Sequence, residues 1–159
     1  MNTAAHGRFT SRSRVRKRSE FLLIQASASR VVTPHLVLLV HLRGPMRALR
    51  RPLQPPDRAR VGITVPKKTG CSPERSRAKR LIREVFRQQR GTLPPDVDVV
   101  VIVRKSLGEL KLSALIEEWR RVERQIQKRI AEARTAATRA AETIAAANAE
   151  AANAETDTP

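Results

Sequence analysis

The densest chemistry in this sequence lies between residues 60 and 90, where Lys67 and Lys68 precede Arg75, Arg77, Lys79, Arg80, Arg83, Arg87 and Arg90. At 3.6 residues per turn, Ala78, Leu81, Ile82, Val85 and Phe86 fall on one side of a helix. Arg77, Arg80, Arg83, Arg87 and Arg90 fall on the other, with Arg75 and Lys79 at the boundary. Such a helix docks its apolar stripe on a sheet and turns a basic ridge outward. Like charges three and four residues apart cost helix stability, and Glu84 is the main offset along the ridge, so the ridge is expected to meet a polyanion. Arginine suits that task because its planar guanidinium forks two hydrogen bonds to phosphate oxygens or to base and sugar edges. The plainer reading, a solvated basic face, leaves the repulsion uncompensated.

Other chemistries fit less well. Lys67-Lys68-Thr69-Gly70 follows a strand-like run, but it lacks the leading glycine and the Gly-Lys-Ser/Thr order of a phosphate-binding loop, so no nucleotide cofactor is expected. The acids near the ridge are Glu74 and Glu84, unaccompanied by His, Cys or a paired carboxylate, which argues against an active site on this chain. Cys71 is the sole cysteine, and His6, His35 and His41 lack ligand spacing; no disulfide and no protein-held metal is expected. No helix-turn-helix pattern or basic zipper points to DNA.

The elements that must position the ridge follow from patterning. A helix is expected to begin at Ser72 as cap, with Pro73 in its first turn and Glu74 at the positive end of its dipole, and to stop near Gly91. Leu36 to Leu42 and Val61 to Val65 read as strands, and Val97 to Val103, rich in β-branched residues, reads as a central one. Ser19 is expected to cap a short helix through Phe21, Leu22 and Ile24. Leu112, Leu115, Ile116, Trp119, Val122, Ile126 and Ile130 recur at helical spacing and need a sheet to cover. Residues 44–56, with four prolines and a glycine, read as a loop.

The 159 residues accommodate one domain, expected over residues 19–130. Residues 1–18 are expected to form a flexible basic segment, and 131–159 an alanine-rich tail that passes from helix to disorder. The net charge is +17; Arg134 and Arg139 against Glu132, Glu142, Glu150, Glu155 and Asp157 leave the tail at −3 and the body at +20. A basic body of that size points to nucleic acid. The longest apolar run is far below a membrane span and no leader-like apolar stretch opens the chain, so a soluble, cytoplasmic protein without a membrane partner is expected.

Arg60-Val61-Gly62-Ile63-Thr64-Val65-Pro66-Lys67-Lys68, followed by RSRAKRLIREVFR, closely resembles the signature of the bacterial ribonuclease P protein: an R-V-G strand, a Lys-Lys turn and a helix bearing R-N-R-x-K-R-x-x-R-E-x-F-R. The basic run from Arg14 to Phe21 and the strand Asp98 to Arg104 extend the likeness over roughly residues 14–125. The resemblance implies an α+β fold, an α/β sandwich with a small mixed sheet and a left-handed βαβ crossover, where spacing alone suggests the common right-handed one. It implies a protein subunit that binds a catalytic RNA and the 5′ leader of precursor tRNA. It also implies that Mg²⁺, held mainly by the RNA subunit and substrate, serves the removal of that leader.

On this reading Lys67, Lys68, Arg75, Ser76, Arg77, Lys79, Arg80, Arg83 and Arg87 contact RNA. Phe21 and Leu39 are candidate leader contacts, although Phe21 reads equally well as a core residue. Ser76 stands where the family motif has Asn, a shorter side chain without the amide's paired donor and acceptor. Gln25 and Leu39 stand at cleft positions that are usually aromatic. A ribosomal-protein-like module that binds RNA without serving a reaction is the alternative that composition leaves open.

Overall fold

The computed structural model describes residues 9–43 and 58–155, with side chains described as far as Asn148. The expected loop at 44–56 lies outside the described residues. A four-stranded mixed sheet forms the centre, in the order β1 (Ser29–Val32), β2 (Leu36–Leu42), β4 (Val97–Val103), β3 (Arg60–Thr64). β4 pairs antiparallel with β2 and parallel with β3, which places it centrally, as its run of β-branched residues requires. Three helices complete the α+β architecture: α1 (Arg18–Ser27), α2 (Ser72–Gln89) and α3 (Leu112–Glu155).

Register divides the sheet into two faces, because successive side chains point opposite ways. Val40 lies opposite Val99, Leu38 opposite Val101, and Val61 beside Val99. These residues join Ile82, Val85 and Phe86 of α2 and Leu115, Trp119, Ile126 and Ile130 of α3 in the main core. Each such fully buried apolar side chain contributes about 1.5–3 kcal/mol. The other face carries Val37, Leu39 and Val100, which pack with Val15 and with Ile24 of α1 in a second, smaller cluster.

The structure departs from the sequence reading in five places. Ser29–Val32, where no strand was expected, is an edge strand paired with Val37 to Val40. The helix caps sit earlier: Lys17 caps α1 and Cys71 caps α2, with the Glu20 and Glu74 carboxylates accepting hydrogen bonds from the Lys17 and Cys71 backbone N–H groups at 3.4 and 2.7 Å. Residues 9–17 do not stand free: Val15 is buried, its backbone N–H donates to the Val61 carbonyl, and Phe9 packs edge-on against Phe86.

Leu39, expected at a leader cleft, is 8% exposed and sits in the cluster under α1. Finally, the alanine-rich segment continues α3 as helix to Glu155, so about 37 Å of helix extends past Ile130. Beyond Arg134, which reaches Asp96 at 2.9 Å, the described tail side chains are exposed. Thr135, Thr138 and Thr143 stay helix-compatible by donating their hydroxyls to carbonyls four residues back.

Candidate nucleic-acid interface

The turn from β3 into α2 starts the site. Lys67 and Lys68 stand exposed on a one-turn 3-10 helix, anchored by buried Thr69, whose hydroxyl donates to the Pro66 carbonyl at 2.6 Å. Gly70 follows with φ 144°, and a side chain there would strike the Glu74 carboxylate that closes the first turn of α2. That carboxylate is held below its ordinary range by the Cys71 backbone N–H.

α2 distributes its cations unequally. Arg77 turns away from the ridge and donates to the carbonyls of Leu107 and Leu110 at 3.1 Å and to that of Gly108, clamping the loop that leads into α3. Arg87 makes a two-pronged pair with Glu84 at 2.9 and 2.6 Å, and Gln88 binds the same carboxylate. Arg75 is half-buried, and Ser76 and Arg80 are exposed. Lys79 and Arg83 turn toward the edge of β3. Burial pushes the Arg83 guanidinium down, and the charges of Arg14 and Arg80 push it further. No carboxylate among the described residues pairs with Arg14, Lys79, Arg80 or Arg83.

Arg14, Lys79 and Arg83 rim a pocket of about 200 Å³. Val15, Val61 and Ile63 form its apolar floor, Phe9 and Phe21 its aromatic walls, and Arg14, Lys79 and Arg83 its charged mouth. The Arg14 guanidinium lies 5.1 Å from the Phe9 ring centroid, a cation–π arrangement that fixes both. Phe21 can approach the sheet this closely because Gly62 is there: a Cβ at 62 would stand 2.7 Å from the ring.

An ion network ties α1 to the sheet beside this pocket. Asp98, 1% exposed, accepts from Arg60 at 2.9 and 2.6 Å, and Arg60 reaches Glu20 of α1 at 3.1 Å. Burial alone would raise the Glu20 carboxyl; Arg60 and the backbone N–H groups of Lys17 and Arg16 outweigh it and leave it below the ordinary range.

Among the described residues no three His, Cys, Asp or Glu side chains group as a metal ion would need. Glu74 and Glu84, the acids nearest the ridge, are engaged by Cys71 and Arg87. Among the described residues the donor set therefore does not fit a Mg²⁺ site. No helix among the described residues is long and apolar enough to cross a membrane.

Residues 9–127, from Phe9 of the pocket through the first half of α3, match the family profile described as Ribonuclease P. The chain belongs to the ribonuclease P protein family. The ribonuclease P protein component of Thermotoga maritima is 37% identical over 101 residues, covering 64% of this chain and 77% of that protein. That of Gluconacetobacter diazotrophicus is 36% identical over 120 residues, covering 75% and 95%. Among solved structures, the T. maritima RNase P protein superposes with a TM-score of 0.57 at 29% identity, covering 70% of this chain and 96% of that one. The Staphylococcus aureus RNase P protein, at 24% identity, shares the fold with a TM-score of 0.58. The chain is thus a protein component of the ribonuclease P endonuclease, a tRNA-processing assembly in which such proteins work with an RNA subunit.

Within this family frame, the structure brings Phe21, Lys79 and Arg83 together on one pocket and leaves Lys67, Lys68, Ser76 and Arg80 exposed nearby in sequence. It does not bring Leu39 or Arg77 to that surface. Phe9, Arg14 and Val15 belong to the site and were hidden inside the expected flexible segment. Their only signal was two isolated apolar residues in a run of arginines and serines.

Proposed function

We propose that this chain is the RNA-facing protein subunit that lets a catalytic RNA remove the 5′ leader of precursor tRNA. The observation that carries the reading is the set of cations at Arg14, Lys79, Arg80 and Arg83 beside Phe21, which pair with no carboxylate among the described residues, on a scaffold of this family. Cations without acidic partners lose little on meeting phosphates and release condensed counterions from the RNA. Lys67, Lys68, Arg75, Ser76, Lys79, Arg80 and Arg83 bind the catalytic RNA, and Phe21 offers a ring to an unpaired leader base. Arg87 joins them with its charge partly met by Glu84, while Arg77 acts mainly by holding the loop before α3. Cleavage belongs to Mg²⁺ held by the RNA subunit and substrate, in the cytoplasm. The protein supplies affinity and orientation.

The test is cleavage of a precursor tRNA at low Mg²⁺ by a cognate catalytic RNA, with and without this protein, beside a protein-only control. Correct 5′ cleavage is expected only when RNA and protein are combined. Absence of rescue favours a ribosomal-protein-like RNA binder, and cutting by the protein alone contradicts an RNA-borne active site.

A further inference from the structure

The outward face of α3 carries a second row of cations, set apart from the ridge of α2. Arg120, Arg124 and Lys128 follow one another at four-residue spacing, so about 6 Å of helix separates each from the next. All three are exposed, and none pairs with a carboxylate among the described residues. Arg121 stands beside the row and reaches Glu117 only at 3.8 Å, while Glu123 lies half-buried on the flank and pairs with none of them. The row runs on past Ala131 and Thr135 to exposed Arg139, an edge about 28 Å long on one continuous helix. Like charges four residues apart cost helix stability, and water alone leaves that cost unrecovered.

Two features select the partner. Among the exposed side chains from Arg120 to Arg139 there is no ring and no large aliphatic group, so an unpaired base finds nothing to stack on. A surface of cations alone meets the sugar–phosphate backbone, which is how double-helical RNA is recognised. Position then separates the catalytic RNA from the leader. α3 packs against α2 on one face of the sheet, α2 beside β3 and α3 beside β1 and β2, whereas Phe21 belongs to the cluster on the opposite face. An RNA seated on the ridge of α2 can reach α3 directly; a leader at Phe21 has the sheet in between. We propose that the row Arg120, Arg124 and Lys128 docks the phosphate backbone of a double-helical segment of the catalytic RNA. The inference rests on the RNA-binding reading and adds a second contact to it, which stops the protein pivoting about the α2 ridge.

The test combines hydroxyl-radical footprinting of the catalytic RNA with its affinity for the full chain over a series of salt concentrations. The triple variant Arg120→Gln, Arg124→Gln, Lys128→Gln removes three charges from exposed positions and leaves the core untouched. It is expected to weaken binding, to lower the log–log salt slope by about 2.5, and to erase protections confined to a base-paired segment. Protections erased in an unpaired segment overturn the proposal. So does a variant that binds the catalytic RNA normally while its holoenzyme loses affinity for precursor tRNA, because the duplex is then the substrate's. If affinity, slope and footprint all hold while Arg80→Ala still weakens RNA binding, the α3 contact is overturned and the α2 ridge stands. If Arg80→Ala is silent too, the RNA-binding reading itself fails.

Discussion

The two faces of the sheet are made differently. One is sealed: Val97, Val99 and Val101 of β4 are fully buried beneath α2 and α3, and Phe86 and Leu115 are equally inaccessible. The other is covered by the ten residues of α1 and by Val15 of the segment before it, which leave Val32 of the edge strand 46% exposed and put the Arg60–Asp98–Glu20 ion network where apolar contacts would otherwise run. The sealed face supplies stability. The more lightly covered one has a smaller buried cluster, Val15, Ile24, Val37, Leu39 and Val100, and gives part of its area to the polar network that joins α1 to the sheet. α2 belongs to both sides, with its apolar stripe in the core and Lys79 and Arg83 at the pocket.

The contrast breaks if truncating the sealed face leaves stability intact. Phe86→Ala is expected to cost about 3–5 kcal/mol, read as a lower urea midpoint, because the cavity opens where α2 meets the sheet and removes the support of Phe9. An unshifted midpoint places that helix face in solvent. Arg77→Ala sharpens the division within α2. Losing charge-assisted bonds to three carbonyls is expected to cost about 1.5–3 kcal/mol and to leave the salt dependence of RNA binding unchanged. A shallower salt slope with full stability would return Arg77 to the ridge.

Glu118 makes a smaller test on the covered side. It accepts hydrogen bonds from the Thr33 hydroxyl and from the His35 backbone N–H at 2.9 Å, joining the β1–β2 turn to α3. Burial raises its carboxyl, and the Thr33 and His35 donors outweigh burial and leave it below its ordinary value of 4.5. With the folded value depressed, the unfolded chain binds more protons just below that pH. The contribution of Glu118 is therefore complete above the ordinary carboxylate range and lost as pH falls through the lower folded value. Glu118→Gln is expected to cost about 1–2 kcal/mol at neutral pH and to flatten the acid limb of a stability–pH curve. An unaltered limb contradicts the assignment.

The parts legible in the sequence are those whose signal is local and repeated. Val97 to Val103 announces a central strand by a seven-residue run in which all but Asp98 are β-branched, and the stripe Ala78, Ile82, Val85, Phe86 announces the docked side of α2. β1 was not legible because Ser29–Val32 has two apolar residues and becomes a strand only by pairing with Val37 to Val40. The same holds for the site. The basic ridge can be read from spacing, but the aim of Arg77 depends on carbonyls thirty residues away, and Leu39 is covered because Ile24 packs over it. Phe9 and Val15 look like accidents in a basic arm until β3 and Phe86 supply the surfaces they fill. Past Ile130 the sequence sets no end to α3, because its alanines hold a helix by backbone propensity while burying little.

The most direct measurement is the affinity of the chain for its catalytic RNA over a series of salt concentrations, for the unaltered protein and for Arg80→Ala. Arg80 is exposed and touches no carboxylate among the described residues, so its loss is expected to move stability by less than about 0.5 kcal/mol, to weaken RNA binding, and to lower the log–log salt slope by about one. An unchanged affinity and slope in a folded variant would contradict the claim that this edge of the molecule faces RNA.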